Sequence, residues 1–96
     1  MNPLIPPGAA QPPSLIEYPC EFPIKIMGRR VDHFAEEIVA VVCRHAPDFD
    51  ASTLEMRASR GGDYISCTAT IRATSRAQLD ALYRDLTSHP LVKVVL

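Results

Sequence analysis

The chain has 96 residues, 47% of them hydrophobic and 22% charged, with 10 Lys and Arg set against 11 Asp and Glu. That length allows one small domain, and the composition is that of an ordinary globular protein. A formal net charge of -1 gives no overall pull toward nucleic acid or an anionic membrane, and no apolar run nears the ~20 residues that span a bilayer.

Residues 1–17 hold Pro3, Pro6, Pro7, Pro12 and Pro13 around Gly8 and Gln11. Proline fixes φ and removes an N–H donor, so this stretch is predicted to be a disordered tail outside the folded domain. It carries no proline motif flanked by basic residues. The first residues also lack a basic segment followed by an uninterrupted apolar core, which predicts no signal peptide. The 3 cysteines, Cys20, Cys43 and Cys67, are odd in number and share no metal-ligand spacing. Together these features predict a cytoplasmic protein with reduced thiols.

Residues 18–96 read as a single domain. Phe22, Ile24 and Ile26 alternate with Pro23, Lys25 and Met27, the period of a strand ending at Gly28. Pro23 suits the start of that strand, where a missing ladder donor matters least. From Val31 to His45 the spacing turns helical, with Phe34, Ile38, Val41, Val42 and His45 on one stripe, and Pro47 forbids its continuation. Alternation returns from Thr53 to Ala73, interrupted by Gly61-Gly62, which predicts a hairpin. In its first arm Leu54, Met56 and Ala58 are expected to face inward. In its second arm the expected inward set is Ile65, Cys67, Ala69 and Ile71.

Ser75 followed by Gln78 is a capping box. Leu79, Leu82, Tyr83 and Leu86 give the second helix its stripe, His89-Pro90 stops it, and Leu91 to Leu96 closes as a strand. The order strand, helix, hairpin, helix, strand predicts an α+β, ferredoxin-like βαββαβ fold: a four-stranded antiparallel sheet with two helices on one face. Such a core is small, so marginal stability or support from self-association is expected.

Several functions hosted by this scaffold fail on residues. A soft-metal carrier needs convergent thiolates after the first strand, and no cysteine lies between Cys20 and Cys43. An acylphosphatase needs an asparagine on the second strand, and the one asparagine is Asn2. RNA recognition needs stacking aromatics on the central strands. Arg60-Gly61-Gly62-Asp63-Tyr64-Ile65-Ser66-Cys67 supplies only Tyr64, so nucleic acid is not expected as a partner. His33, His45 and His89 are scattered and read as surface, capping and loop residues. No catalytic residue, metal ligand or cofactor is predicted. What remains is Gly28, Arg29 and Arg30 before the first helix, where free helix N–H groups and two guanidinium groups could hold a carboxylate or phosphate.

Five blocks then suggest a family. Phe22-Pro23-Ile24-Lys25-Ile26-Met27-Gly28, Arg44-His45-Ala46-Pro47, Asp63-Tyr64-Ile65-Ser66, Leu82-Tyr83-Arg84-Asp85-Leu86 and Val92-Lys93-Val94-Val95-Leu96 together resemble the YbeD-like small bacterial proteins. The resemblance covers Leu15 to Leu96 and implies a cytosolic domain whose fold looks like ACT-type regulatory domains. The proline-rich start and the Arg60-Gly61-Gly62 hairpin depart from the family's usual form. The expected function is a non-enzymatic regulatory or ligand-binding domain that takes a small anionic metabolite at Gly28, Arg29 and Arg30, as a homodimer. The alternative is a module that docks a protein partner through its sheet edge or open sheet face.

Overall fold

The computed structural model describes residues 17–96. The tail expected at the N-terminus lies outside these residues, apart from Glu17. Strand β1 runs Cys20–Arg29, helix α1 Phe34–His45, strand β2 Glu55–Ala58, strand β3 Tyr64–Ala73, helix α2 Arg76–Thr87 and strand β4 Val92–Val95, with a short 3-10 turn at Ala51–Thr53. The sheet is antiparallel with order β2-β3-β1-β4, the α+β arrangement that the alternation and helical spacing imply.

One sheet face is closed by both helices. Phe22, Ile24 and Ile26 of β1 lie across from Ile71, Ala69 and Cys67 of β3, and all six are buried. Phe34, Ile38, Val41 and Val42 of α1 and Leu79, Leu82 and Leu86 of α2 complete the layer. A fully buried side chain of this kind contributes about 1.5–3 kcal/mol. No polar or charged side chain among the described residues is buried. Cys67 belongs to this apolar layer, and burial pushes its thiol up from the ordinary range, away from a reactive thiolate.

Pro23 sits inside β1, opposite Thr70, rather than at the strand's start. Its position has a simple cause. Lys25 exchanges both backbone hydrogen bonds with Leu96, at 3.2 and 2.8 Å. Antiparallel ladders alternate sides, so the backbone of Pro23 points the same way, toward the β4 side, where no described residue pairs with it. The proline therefore removes no ladder bond, and it blocks an open edge.

Two further expectations need correction. The helical spacing from Val31 overshoots: Val31 is half-buried in a turn whose carbonyl accepts the Phe34 N–H at 3.1 Å, and α1 starts at Phe34. Met56 and Ala58 were expected inside, and the register does place Met56 across from buried Cys67 on the helix side of the sheet. Both are nevertheless exposed, because neither helix reaches over this outermost strand.

The helices are joined by a polar clasp. The His45 Nε2 lies 2.5 Å from the Asp85 Oδ2, and Gln78 Nε2 donates to the His45 carbonyl at 2.9 Å. Ser75 caps α2 by accepting the Gln78 N–H at 3.1 Å, while Gln78 Oε1 takes the N–H of Thr74. The hydrogen bond from His45 holds the Asp85 carboxyl below the usual carboxylate range, with Arg44 and Arg84 adding to it. A carboxyl whose pKa is lowered on folding stabilises above its unfolded value of about 3.9 and loses that contribution as pH falls through the folded value. Asp85→Asn is therefore expected to melt below the parent at pH 7, with the gap narrowing as pH falls below about 4. A gap that stays the same size well below about pH 4 would mean that the clasp does not act through this charge.

Candidate functional site

The three residues singled out by sequence occupy the end of β1 rather than a loop at the helix start. Gly28 and Arg29 lie within the strand and Arg30 follows it, with Val31 to His33 still separating them from α1. Gly28 is buried. A Cβ built on it would stand 2.2 Å from the Leu91 carbonyl oxygen and 2.4 Å from the Phe34 ring. The close approach that this glycine permits is thus already taken by Phe34 and Leu91. Its position also coincides with a β-bulge, where Met27 pairs with Val94 and Gly28 with Val92, leaving Lys93 as the extra residue.

Arg29 and Arg30 are both exposed, at the end of β1 that borders the β2–β3 hairpin. Arg29 lies across from Tyr64, and the Arg30 N–H donates to the Asp63 carbonyl at 3.0 Å. The Arg30 Nη1 would be 3.5 Å from a Cβ on Gly62, so its guanidinium rests over the hairpin tip. Gly62 adopts φ 79°, the left-handed conformation that the turn requires. The α1 start is a poorer anion site than its spacing suggested. His33 makes no side-chain cap, and Glu36 and Glu37 already place negative charge in the first turn.

Register adds members that spacing along the chain had left apart. Arg57 pairs with Ser66, which pairs in turn with Met27, one row along from Tyr64 and Arg29. Arg60 lies in the same hairpin. The ion pairs among the described residues join Arg44 and His45 to Asp85, Arg76 to Asp80 and His89 to Glu37. None involves Arg29, Arg30, Arg57 or Arg60. Four guanidinium groups without a carboxylate partner therefore lie at this end of the sheet, Arg29 and Arg57 on the same open face as Tyr64, which is 45% exposed and presents a ring on which a guanidinium can rest.

The surface here is shallow. A depression of about 180 Å³ is lined by Met27, Arg57, Tyr64 and Ser66 among others, and one of about 390 Å³ by Lys25, Glu55, Met56, Arg57, Ser66 and Thr68. A larger cleft of about 560 Å³ opens at the opposite end of the sheet, between the end of β3 and the loop before β2. Its rim carries Glu21, Asp48 and Asp50 against the single cation Arg72, a poor match to an anion. Among the described residues no cluster of His, Cys, Asp or Glu could hold a metal ion. The histidines stay apart, and His89 Nδ1 accepts the Leu91 N–H at 3.1 Å, which leaves its Nε2 proton facing Glu37.

Comparison with known proteins agrees with this architecture. Residues 13–96 match a family described as a protein of unknown function, DUF493. A UPF0250 protein of Ralstonia nicotianae is 60% identical over 89 residues, covering 91% of this chain and 92% of the relative. A UPF0250 protein of Nitrosomonas europaea is 57% identical over 83 residues, covering 86% and 95%. Among solved structures, the ACT domain from the GTP pyrophosphokinase of Chlorobium tepidum superimposes with TM-score 0.59 at 20% identity, covering 77% of this chain and 80% of that domain. A protein from H. pylori reaches TM-score 0.66 at 12% identity, covering 96% and 94%. At those identities the likeness is one of fold. No helix of the described residues is long and apolar enough to cross a membrane.

Proposed function

Because the chain belongs to the DUF493 family and shares its fold with an ACT domain, we propose that it is a small, non-enzymatic regulatory domain that binds an anionic group at Arg29 and Arg30. The observation that carries this reading is the pair of exposed arginines at the hairpin end of β1, Arg29 across from Tyr64 and Arg30 over Gly62, without a carboxylate partner among the described residues. Gly28 serves the site by letting β1 lie against Phe34 and Leu91, so that the two arginines emerge from a fixed strand end. Two such domains side by side form the working unit, a homodimer that covers an open sheet edge.

Thermal unfolding against a panel of amino acids, organic acids and nucleotides tests this directly. A ligand present at about 100 times its dissociation constant adds about 2.7 kcal/mol. For a domain of this size that raises Tm by more than about 10 °C. The Arg29→Ala/Arg30→Ala double variant is expected to keep its unliganded Tm and lose the shift. A shift that survives the double change would put the ligand elsewhere.

A second reading, docking of a protein partner at the sheet edge, is favoured by one specific feature. All four residues of β2 are exposed, and its outer edge has no covering element among the described residues. A flat response across the ligand panel would favour this reading.

A further inference from the structure

The sheet has two outer strands, and they differ in what they would present to a second copy of the chain. On β4 the bulged Lys93 is exposed in the middle of a four-residue strand. Self-pairing there would bring Lys93 near its own copy, the device by which natural edges avoid association. Strand β2 instead carries one charge of each sign, Glu55 and Arg57, which clash or pair according to register. We propose that two copies of this chain pair antiparallel through β2, with Met56 on the two-fold axis and Glu55 of each copy opposite Arg57 of the other. This rests on the homodimer of the reading above and gives it a register.

The register follows from the backbone. The Ser59 N–H donates to the Tyr64 carbonyl at 2.8 Å, so alternation turns the backbone groups of Arg57 and Glu55 toward β3 as well. Those of Met56 and Ala58 then point outward, where no partner lies among the described residues. Leu54 offers only its carbonyl, because its N–H is already bonded to the Ala51 carbonyl. With Met56 facing its own copy, the two Met56 residues exchange both hydrogen bonds, and each Ala58 N–H meets the Leu54 carbonyl opposite.

Side chains select this register over its neighbours. Glu55 and Arg57 lie on the open face, in line with Thr68 and Ser66. Sliding the pair by one step in either direction while keeping outward groups matched sets Glu55 against Glu55, or Arg57 against Arg57. Only the Met56-centred register sets opposite charges across the interface, twice by symmetry. On the other face the two Met56 side chains, each 58% exposed in the single chain, meet across the axis. The shallow depression lined by Lys25, Glu55 and Arg57 then continues into its copy.

The contact is small, so it is expected to be weak and concentration-dependent, with dissociation on the order of 10 µM to 1 mM. Sedimentation velocity over that range reads it. Glu55→Arg alone and Arg57→Glu alone create like-charge pairs and should each raise the dissociation constant about tenfold or more. Mixing the two single variants should restore a heterodimer, because one then supplies two cations and the other two anions. Met56→Pro removes an N–H that β3 does not use and should give a folded monomer. A parent that stays monomeric at about 1 mM, or single variants that associate as tightly as the parent, would overturn the pairing. Anion binding is read separately by the thermal panel. A monomer that still binds anions overturns only the pairing, and a dimer that binds none overturns only the ligand reading.

Discussion

Gly28→Ala is expected to be among the most destabilising single changes in the chain. The added Cβ would stand 2.2 Å from the Leu91 carbonyl oxygen and 2.4 and 2.9 Å from two carbons of the Phe34 ring. Phe34 is fully buried against the sheet and cannot swing aside, and Leu91 O is backbone, held by the turn into β4. Relief therefore requires β1 to part from α1 or from β4. Overpacking of a core typically costs about 1–3 kcal/mol, and more where backbone must move. The stiffer alanine restrains the unfolded chain by only about 0.4–1 kcal/mol, too little to offset this. At about 0.05–0.15 kcal/mol per residue a domain of this size has a few kcal/mol to lose. Chemical denaturation should show a loss of at least about 3 kcal/mol or no cooperative transition. Gly61→Ala is the control, since its nearest neighbour is the Asp63 carboxylate at 3.7 Å. If both variants unfolded at the parent's midpoint, the tight packing around Gly28 would be wrong.

The same residue shows what a linear reading can and cannot supply. Alternation in β1 and β3 and the helical stripes of α1 and α2 are each repeated several times, so errors at one position do not disturb the whole. That is why the βαββαβ order and most of the core were legible. Burial of β2 was not, because the period states which side a residue faces but not whether a helix reaches that far. Met56 obeys its period and is still exposed. Gly28 was assigned to a ligand loop because glycine signals close approach without naming what approaches. Here it is Phe34 and Leu91, six and sixty-three residues away in the sequence. Arg57 joined Arg29 only through strand register, which no local spacing records. The one sequence cue was the hairpin itself, since a Gly61-Gly62 turn fixes which residues of β2 and β3 stand opposite.

Removing Val92 to Leu96 is expected to abolish the fold altogether, and with it any binding by the sheet. Strand β4 does three things at once. It satisfies the backbone of β1 at Lys25 through two hydrogen bonds to Leu96 and continues the ladder at Met27 and Gly28. It packs half-buried Val92 and Val95 onto the core beside α2. It also anchors the turn whose Leu91 carbonyl closes over Gly28. Several hydrogen bonds at about 1 kcal/mol each and two partly buried valines at about 1 kcal/mol each come to roughly 5 kcal/mol. That is comparable with the whole stability expected for a chain of this length, about 4–12 kcal/mol. The loss would also bare the backbone edge of β1, a ten-residue strand, along the side that Pro23 guards at only one position. The truncated chain should therefore show no cooperative melt and a tendency to aggregate. Retention of a sharp transition within a few degrees of the parent would mean that β1, β3 and the helices form a sufficient core by themselves, and that β4 is an accessory edge.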